Sequence, residues 1–357
     1  MNKKNTALRR GFAEYKALDP AEKKRVRREL LINNALYIFL VVVIVAIAIS
    51  RPRFISPGSI INIISLSAAN IPIALGIAGA IILTGTDLSA GRAVGLTACV
   101  AASLLQATGY ANKMFPELAT LPVLAVVLLV IVLGAIIGAV NGFCTAKFNL
   151  HPFIVTLATQ LIIYGSLLMY LTLGTNNGQS ISGLSDNYTK FINGSILSVG
   201  GTAIPNFVWY SIVIVAIMWF VWNKTAFGKN MFAVGSNPEA AHVSGVNVTR
   251  TIILVFTLAG ALYGVTGFIE GARIGSNSAA TGLNYELDAI AACVIGGVSF
   301  VGGIGRIRGV IIGVVLLRII FVGLTFLSVN QNLQYIIKGL IILIACAIDM
   351  RKYLVRK

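Results

Sequence analysis

The sequence predicts an all-α, polytopic integral membrane protein with about ten membrane-spanning helices. Two features of the composition support this fold class: 57% of the 357 residues are hydrophobic and only 11% are charged, and the mean hydropathy is +0.87. A soluble globular protein of this size needs far more polar surface than this composition provides. The third observation is the spacing of the apolar segments, most of which approach the roughly 20 residues that a helix needs to cross a bilayer.

Ten apolar segments are the candidate spans. Two of them, 93–107 and 286–301, are short and carry polar residues at their ends, which predicts tilted, broken or re-entrant elements. Glycine-bounded breaks near 84–92 and 296–306 follow two spans of the same predicted direction, as in a duplicated unit whose non-helical backbone lines a shared path. The ten segments centre on 35–50, 59–83, 93–107, 121–143, 153–173, 207–222, 251–270, 286–301, 307–327 and 333–349.

Glycines at helical spacing occur within several spans. Gly134, Gly138 and Gly142 recur every four residues, and so do Gly309 and Gly313. Small residues at this spacing let helix backbones approach closely, so we expect a packing role for them. Contact with a transported solute is the alternative.

Basic residues predict how the chain is oriented and divided. With residues 1–34 in the cytoplasm, 21 Lys and Arg fall on the cytoplasmic side and five on the opposite side, as the positive-inside rule requires. We therefore expect a cytoplasmic basic arm at 1–34, a transmembrane domain at 35–349 and a cytoplasmic basic tail at 350–357. The arm is not a signal peptide, and an amphipathic helix within it is expected to lie on inner-leaflet lipids. A solvated tail is the alternative.

Several function classes are excluded. The net charge of +16 lies mostly outside the apolar segments, so it indicates orientation in a membrane and not a nucleic-acid surface. The four cysteines and two histidines lack the spacing of a disulfide framework or a metal site. The sequence contains no phosphate-binding loop and no nucleophile elbow. We therefore expect no catalytic residue, no metal site, no nucleic-acid partner and an energy source outside this chain.

Asp87 is the foremost polar candidate, because a charge near the bilayer centre costs at least about 2.5 kcal/mol. It lies in the first glycine-bounded break, five residues before Arg92. An ion pair with Arg92, or acceptance of freed backbone N–H groups, would hold an irregular turn in place. Ser89 lies in the same break, and Asn141 and Thr156 are polar residues on spans that could bridge helices or face a water-filled cavity.

Two segments on the predicted outer side are candidate docking surfaces. Segment 270–288 has net negative charge, because it carries Glu270, Glu286 and Asp288 beside one arginine. Segment 174–206 is long and rich in Ser, Asn and Gly. For both segments, plain exposure to solvent is the alternative.

The cytoplasmic segment 223–250 is predicted to contain a short helix. A proline in the first turn, helix-favouring residues after it and a terminating glycine define this helix. Such a helix on the inner face suits a soluble partner that pushes on it, with a simple linker as the alternative. Its residues are Pro238, Glu239, Ala240, Ala241 and Gly245.

These motifs resemble the permease subunits of ATP-binding-cassette importers for monosaccharides, in the ribose and galactose branch. The resemblance runs from about residue 33 to the C-terminus, and its strongest segments are 85–92, 152–157, 227–245 and 285–297. At 85–89 the chain has Gly-Thr-Asp-Leu-Ser, where ribose-type permeases usually have Gly-Gly-Ile-Asp-Leu-Ser. This difference favours galactose or methyl galactoside over ribose as the substrate.

The resemblance implies a homodimer of this subunit in the bacterial inner membrane, surrounded by lipid, with both termini cytoplasmic. It also implies a periplasmic sugar-binding protein and a cytoplasmic ATPase that uses ATP and Mg, while this chain binds no cofactor. The short helix of 223–250 would be the coupling helix that receives ATPase movement. Sugar would cross by alternating access at the dimer axis, along a weakly binding polar path. The residues expected on that path are Asp87, Ser89, Asn141, Thr156 and Ser299.

Two other function classes remain open on the sequence. In an ion-coupled secondary transporter, Asp87 or Glu270 would bind a proton or sodium, and the chain would transport without partners. An intramembrane enzyme would need a nucleophile or a metal cluster on facing spans, which the sequence does not offer. Within the resembling family, ribose or another monosaccharide is the alternative substrate.

Overall fold

The computed structural model describes residues 35–354 and, before them, residues 19, 20, 22–24 and 27. Most of the predicted arm at 1–34 therefore lies outside the described residues, and the amphipathic helix within it stays a prediction. In its described part, the Lys23 N–H donates to the Asp19 carbonyl at 2.9 Å, as in one helical turn.

The described chain is mostly helical. Ser56, His151 and Asn237 each begin a helix, because each side chain accepts a backbone N–H and each is followed by a proline, which has no N–H to satisfy. The helices in chain order are α1 (Ala35–Ser50), α2 (Pro57–Ile82), α3 (Ala90–Leu104), α4 (Val123–Lys147), α5 (Pro152–Leu171), α6 (Asp186–Asn193), α7 (Asn206–Lys224), α8 (Ala226–Ser236), α9 (Pro238–Val243), α10 (Val248–Ile274), α11 (Tyr285–Ile295), α12 (Ile307–Phe326) and α13 (Gln331–Leu354), with a short 3-10 helix at Pro52–Ile55.

Six of the described helices are long and apolar enough to cross a membrane: α2, α4, α5, α7, α10 and α12. Each of them coincides with a predicted span. The other four predicted spans coincide with α1, with the shorter apolar helix α3, with the 11-residue α11, and with α13, whose apolar part is Gln331–Ala347. The number of about ten spans is therefore not confirmed.

The prediction of an all-α protein is wrong in one detail. Segment 174–206 contains α6 and a two-stranded antiparallel hairpin, β1 (Ser195–Val199) and β2 (Thr202–Pro205). Gly200 and Gly201 connect the strands with φ of +58° and +78°, the left-handed conformation that a two-residue hairpin turn requires. The sequence did not predict this hairpin, because Gly200 and Gly201 were counted only as part of a segment rich in Ser, Asn and Gly.

The interior is built around α10, which packs against α2, α3 and α4. Gly134 of α4 lies so close to Gly260 of α10 that neither position has room for a Cβ, and Gly309 of α12 approaches Gly296 in the same way. The predicted packing role of these glycines is confirmed. Large apolar side chains such as Leu128 of α4 (65% exposed) point outward, as expected for helices in contact with lipid.

Both predicted breaks are present, and they lie next to each other. The first separates α2 from α3 and covers 83–89, and the second separates α11 from α12 and covers 296–306. The Gly303 N–H in the second break donates to the carbonyl of Ile82, the last residue of α2, at 2.9 Å. This bond satisfies one of the carbonyls that the end of α2 leaves without an intrahelical partner.

The loops on the predicted outer side are interlocked. Isolated backbone bridges join Gln106 to Leu184 and Ile181 to Asn277. Tyr188 of α6 attaches this layer to α10, because its buried hydroxyl donates to the Phe268 carbonyl at 2.5 Å. Burial also raises the pKa of Tyr188.

Candidate functional site

Four of the five predicted path residues lie at the first break, where three of them form one buried hydrogen-bond network and Thr156 bonds to the backbone of the turn. One oxygen of Asp87 accepts from the Ser89 N–H at 3.0 Å and from the Ser89 hydroxyl at 2.6 Å. The Asn141 amide donates to the same hydroxyl oxygen at 2.9 Å. Thr156 accepts from the Leu88 N–H at 3.1 Å, on the other side of the turn. Asp87, Ser89, Asn141 and Thr156 are all fully buried.

The network explains how the irregular turn between α2 and α3 is held. Of the two sequence hypotheses for Asp87, acceptance of freed backbone N–H groups is confirmed and the ion pair with Arg92 is wrong. Arg92 instead donates to the Ala279 carbonyl at 2.9 Å and lies over the Tyr164 ring, 4.1 Å from its centroid. Within residues 35–354, Asp87 is in no ion pair, so its buried carboxylate is held by neutral donors alone.

Tyr263 of α10 is the member of this network that sequence reasoning missed. Its ring is fully buried, and its hydroxyl donates to the second Asp87 oxygen at 3.1 Å. Tyr263 stands between Gly260 and Gly264 in a packing face, and a buried tyrosine hydroxyl needs a polar partner. That requirement was the available signal, although the partner lies 176 residues away in sequence.

Ser299, the fifth predicted path residue, lies in the second break. It is buried, its N–H donates to the Ile304 carbonyl at 3.1 Å, and its hydroxyl accepts from the Val301 N–H at 3.3 Å. Ser299 therefore shapes the turn of 296–306. The structure thus brings four predicted path residues together at one break and places the fifth at the neighbouring break.

The segment 270–288 is not a solvated outer loop, and its carboxylates are not exposed for docking. Residues 275–284 run antiparallel to α3: the Ser278 carbonyl accepts from the Cys99 thiol at 3.7 Å, and Gly282 contacts Gly91 near the start of α3. Helix α11 therefore begins beside the first turn of α3 and not at the outer surface. The chain thus reaches α11 through an irregular segment, most of it turns, that the sequence placed in an outer loop.

Two of the three predicted carboxylates of this segment, Glu270 and Asp288, are buried beside cations. Glu270 is fully buried and accepts two hydrogen bonds from Arg273, at 2.9 and 2.6 Å. Asp288 of α11 is 7% exposed and lies between Arg318 of α12 at 3.4 Å and Lys338 of α13 at 2.5 Å. The neighbouring cations offset part of the cost of burying these two carboxylates.

On the cytoplasmic side of the predicted topology, the short helix is present as α9, Pro238–Val243. The Asn237 side chain accepts the Ala240 N–H at 3.0 Å, and Gly245 ends the helix with φ of +83°. Ala241 is its only buried residue, while Val243 is 87% exposed. The apolar side chain of Val243 is therefore exposed near a groove that is lined in part by Val246.

Helix α8, which precedes α9, was missed because its residues were read as part of a linker. Its last turn contacts the end of α2 and the second break: Gly235 lies against the Ile82 carbonyl and the Gly303 N–H, and Ser236 lies against Gly303. Within the part of the chain that the structure describes, no group of three His, Cys, Asp or Glu could hold a metal ion.

Comparison with known proteins agrees with this architecture. The family model described as "Branched-chain amino acid transport system / permease component" matches residues 59–346. The galactose/methyl galactoside import permease of Escherichia coli K12 is 47% identical over 326 residues, which cover 91% of this chain and 96% of the relative. The protein of the same name from Haemophilus influenzae is 45% identical over 338 residues, covering 94% of this chain and 99% of the relative.

A ribose import permease is a more distant relative. The E. coli K12 protein is 34% identical over 323 residues, which cover 90% of this chain and 95% of the relative. No solved structure matches the chain. With six membrane-length helices among its described residues and matches over most of its length, the chain belongs to the family of branched-chain amino acid transport system permease components and is a multi-pass membrane component of a transport system.

Proposed function

We propose that this chain is the permease subunit of an ATP-driven, binding-protein-dependent importer for galactose or methyl galactoside. The observation that carries the proposal is the identity of 45–47% over more than 90% of the chain to permeases of that name, against 34% to the ribose permease. The permease is a homodimer in the bacterial inner membrane, embedded in lipid with both termini in the cytoplasm. A periplasmic sugar-binding protein delivers the sugar, and a cytoplasmic ATPase supplies the ATP and Mg chemistry.

The coupling helix is α9 in this proposal. Pro238, Glu239 and Ala240 are exposed, and Ala241 alone anchors the helix, so a partner protein has access to most of its surface. Gly245 ends the helix in a left-handed conformation that other residues adopt only with strain. ATPase movement reaches the membrane through α8, whose Gly235 contacts the end of α2 and the second break.

The translocation path runs beside the two breaks. Asp87, Ser89, Asn141 and Thr156 support this placement because their network fixes the first break, and Ser299 fixes the second. We assign these five residues the task of holding the backbone beside the path. Sugar selection then belongs to other residues and to the binding protein.

The test is galactose uptake into proteoliposomes that contain the chain, the ATPase, internal ATP and external galactose-loaded binding protein. We expect uptake only when every component is present. Uptake by the chain alone under an imposed proton or sodium gradient would instead identify a secondary transporter. The pairing of Glu270 with Arg273 at 2.6 Å argues against a free cation site there. If a ribose-loaded binding protein supports uptake and a galactose-loaded one does not, the substrate assignment is wrong.

The coupling helix has its own test. Glu239→Ala should leave the chain in the membrane but lower ATP-driven uptake by about tenfold, because loss of one charge-assisted contact costs about 1.5 kcal/mol. Binding-protein-stimulated ATP hydrolysis should fall less than uptake, since coupling and not assembly is affected. Asp186→Ala is the matched control, because Asp186 is an exposed acid in the first turn of α6 on the opposite side. Equal uptake by Glu239→Ala and wild type would remove the assignment of α9.

A further inference from the structure

A small cavity between α2, α11 and α12 has a polar lining that the family resemblance does not assign. Asn70, Asp288 and Arg318 form its polar side, and Ala292 and Leu317 contribute apolar surface. Asn70 lies at the middle of α2, and Arg318 lies in the middle part of α12. The cavity is therefore inside the membrane domain, beside the middle of α2 and α12.

Asn70 is the unusual member of this cavity. Its side chain is 93% buried, and its amide nitrogen donates to the Leu66 carbonyl at 2.9 Å. Its amide oxygen accepts no hydrogen bond from any residue between 35 and 354. A buried polar atom without a protein partner costs about 1–3 kcal/mol, and a ligand that donates a hydrogen bond to it removes that cost.

Whereas Asn70 has an unpaired acceptor, the charged residues of the cavity have an excess of hydrogen-bond donors and of positive charge. Asp288 lies between two cations, Arg318 at 3.4 Å and Lys338 at 2.5 Å, so this triad carries one positive charge more than it neutralises. Within residues 35–354, the guanidinium of Arg318 makes one hydrogen bond, to Asp288, and most of its N–H donors have no protein acceptor. The cavity thus offers acceptors on Asn70 and Asp288 together with donors on Arg318.

This mixture selects among classes of ligand. A metal cation would require acceptors alone, and an anion would require donors alone. A neutral polyhydroxy solute fits both, because each hydroxyl donates one hydrogen bond and accepts others. We propose that Asn70, Asp288 and Arg318 form a hydroxyl-recognition site for a monosaccharide on its way through the permease.

This inference rests on the proposed function, because its ligand is the sugar of the proposed importer. In this conformation the cavity is smaller than a hexose. Sugar contact therefore belongs to a state in which α12 moves away from α2, as alternating access provides. In that state the hydroxyls of the sugar take over the exposed donors of Arg318 and satisfy the Asn70 oxygen. A site that hydrogen-bonds a hydroxyl discriminates strongly against an analogue that lacks it.

The experiment compares Asn70→Ala with wild type in the complete reconstituted importer. The substrates are galactose and a panel of galactose analogues, each lacking one hydroxyl and each delivered by the loaded binding protein. Every rate is divided by the wild-type rate for the same sugar, so that the selectivity of the binding protein cancels. The matched control is Ser67→Ala, because Ser67 is buried one turn earlier on α2 and also donates to the carbonyl four residues before it.

We expect Asn70→Ala to slow galactose uptake by about tenfold and to leave uptake of the analogue without the contacted hydroxyl nearly unchanged. Ser67→Ala should stay within about twofold of wild type on every sugar. The site is refuted if Asn70→Ala slows every sugar by the same factor, or if it matches the control. If the wild-type importer carries ribose and not galactose, the proposed substrate fails, and the same variants are then compared on ribose and its deoxy analogues.

Discussion

Asp87 and Asp288 are both buried carboxylates beside a broken span, but they are held in opposite ways. Asp87 is bound by the Ser89 N–H, the Ser89 hydroxyl and the Tyr263 hydroxyl, all of them neutral donors. Asp288 is bound by two cations and faces a cavity. The first carboxylate has three neutral donors in a closed interior, whereas the second lies in a cluster that has donors to spare.

The difference separates a structural role from a binding role. A carboxylate whose donors come from a turn and from neighbouring helices fixes that turn. A triad with excess charge and a neighbouring unpaired amide oxygen retains unused hydrogen-bonding capacity. The more prominent sequence motif at 85–92 therefore marks the support of the path, and the less prominent Asn70 and Arg318 mark the contact with sugar.

The largest effect is expected for Asp87→Ala. The substitution leaves the Ser89 N–H and two hydroxyls without an acceptor in a closed interior, at about 1–3 kcal/mol for each buried group. We expect a total loss of about 4 kcal/mol in the free energy of unfolding, which is a large share of the stability of a typical protein. The measurement is the thermal unfolding of the purified chain, together with its abundance in membranes.

Asp186→Ala is the control for Asp87→Ala, because Asp186 is 89% exposed. Asp87→Asn should be milder, since the amide oxygen still accepts, and it should leave the choice of sugar unchanged. A changed sugar preference in Asp87→Asn would mean that Asp87 contacts the solute and that the contrast with Asp288 is wrong.

The next largest effect should separate the members of the charged triad. Asp288→Asn leaves Arg318 and Lys338 as two buried cations without a carboxylate, and we expect a loss of about 3 kcal/mol in the free energy of unfolding. Lys338→Met leaves one balanced pair, and it should cost about 1 kcal/mol or less. Thermal unfolding of the two variants in the same detergent gives the comparison. Equal losses would show that the triad carries no excess charge.

The sequence was a good guide wherever the signal is local. Apolar length located the helices, glycines at 85 and 303 accompanied the two breaks, and Pro238 with Gly245 bounded α9. These features depend on residues within a few turns of each other, where composition and spacing determine the backbone. Length alone did not fix the number of spans, because α3 and α11 are shorter than a membrane crossing.

The sequence was a poor guide to contacts between distant segments. It grouped Asp288 with Glu270 as part of one acidic outer loop, whereas the chain turns inward after α10 and buries both carboxylates beside cations. It also gave no means of pairing Asp87 with Tyr263. Such partners are decided by helix packing in three dimensions, and one sequence does not encode their distances in any local pattern.

A smaller effect than those of Asp87→Ala and Asp288→Asn is expected when one donor of the Asp87 network is removed. Tyr263→Phe removes only the hydroxyl that donates to Asp87 and leaves a fully buried carboxyl oxygen without that donor, at about 1–3 kcal/mol. Tyr170→Phe is the matched control, because its hydroxyl shares a 2.6 Å bond with the neutral Ser103 hydroxyl, worth about 1 kcal/mol. We expect Tyr263→Phe to lower the unfolding temperature more than Tyr170→Phe does. The reverse order would mean that Asp87 does not depend on Tyr263, and the turn would then rest on the contacts of Ser89 and Thr156.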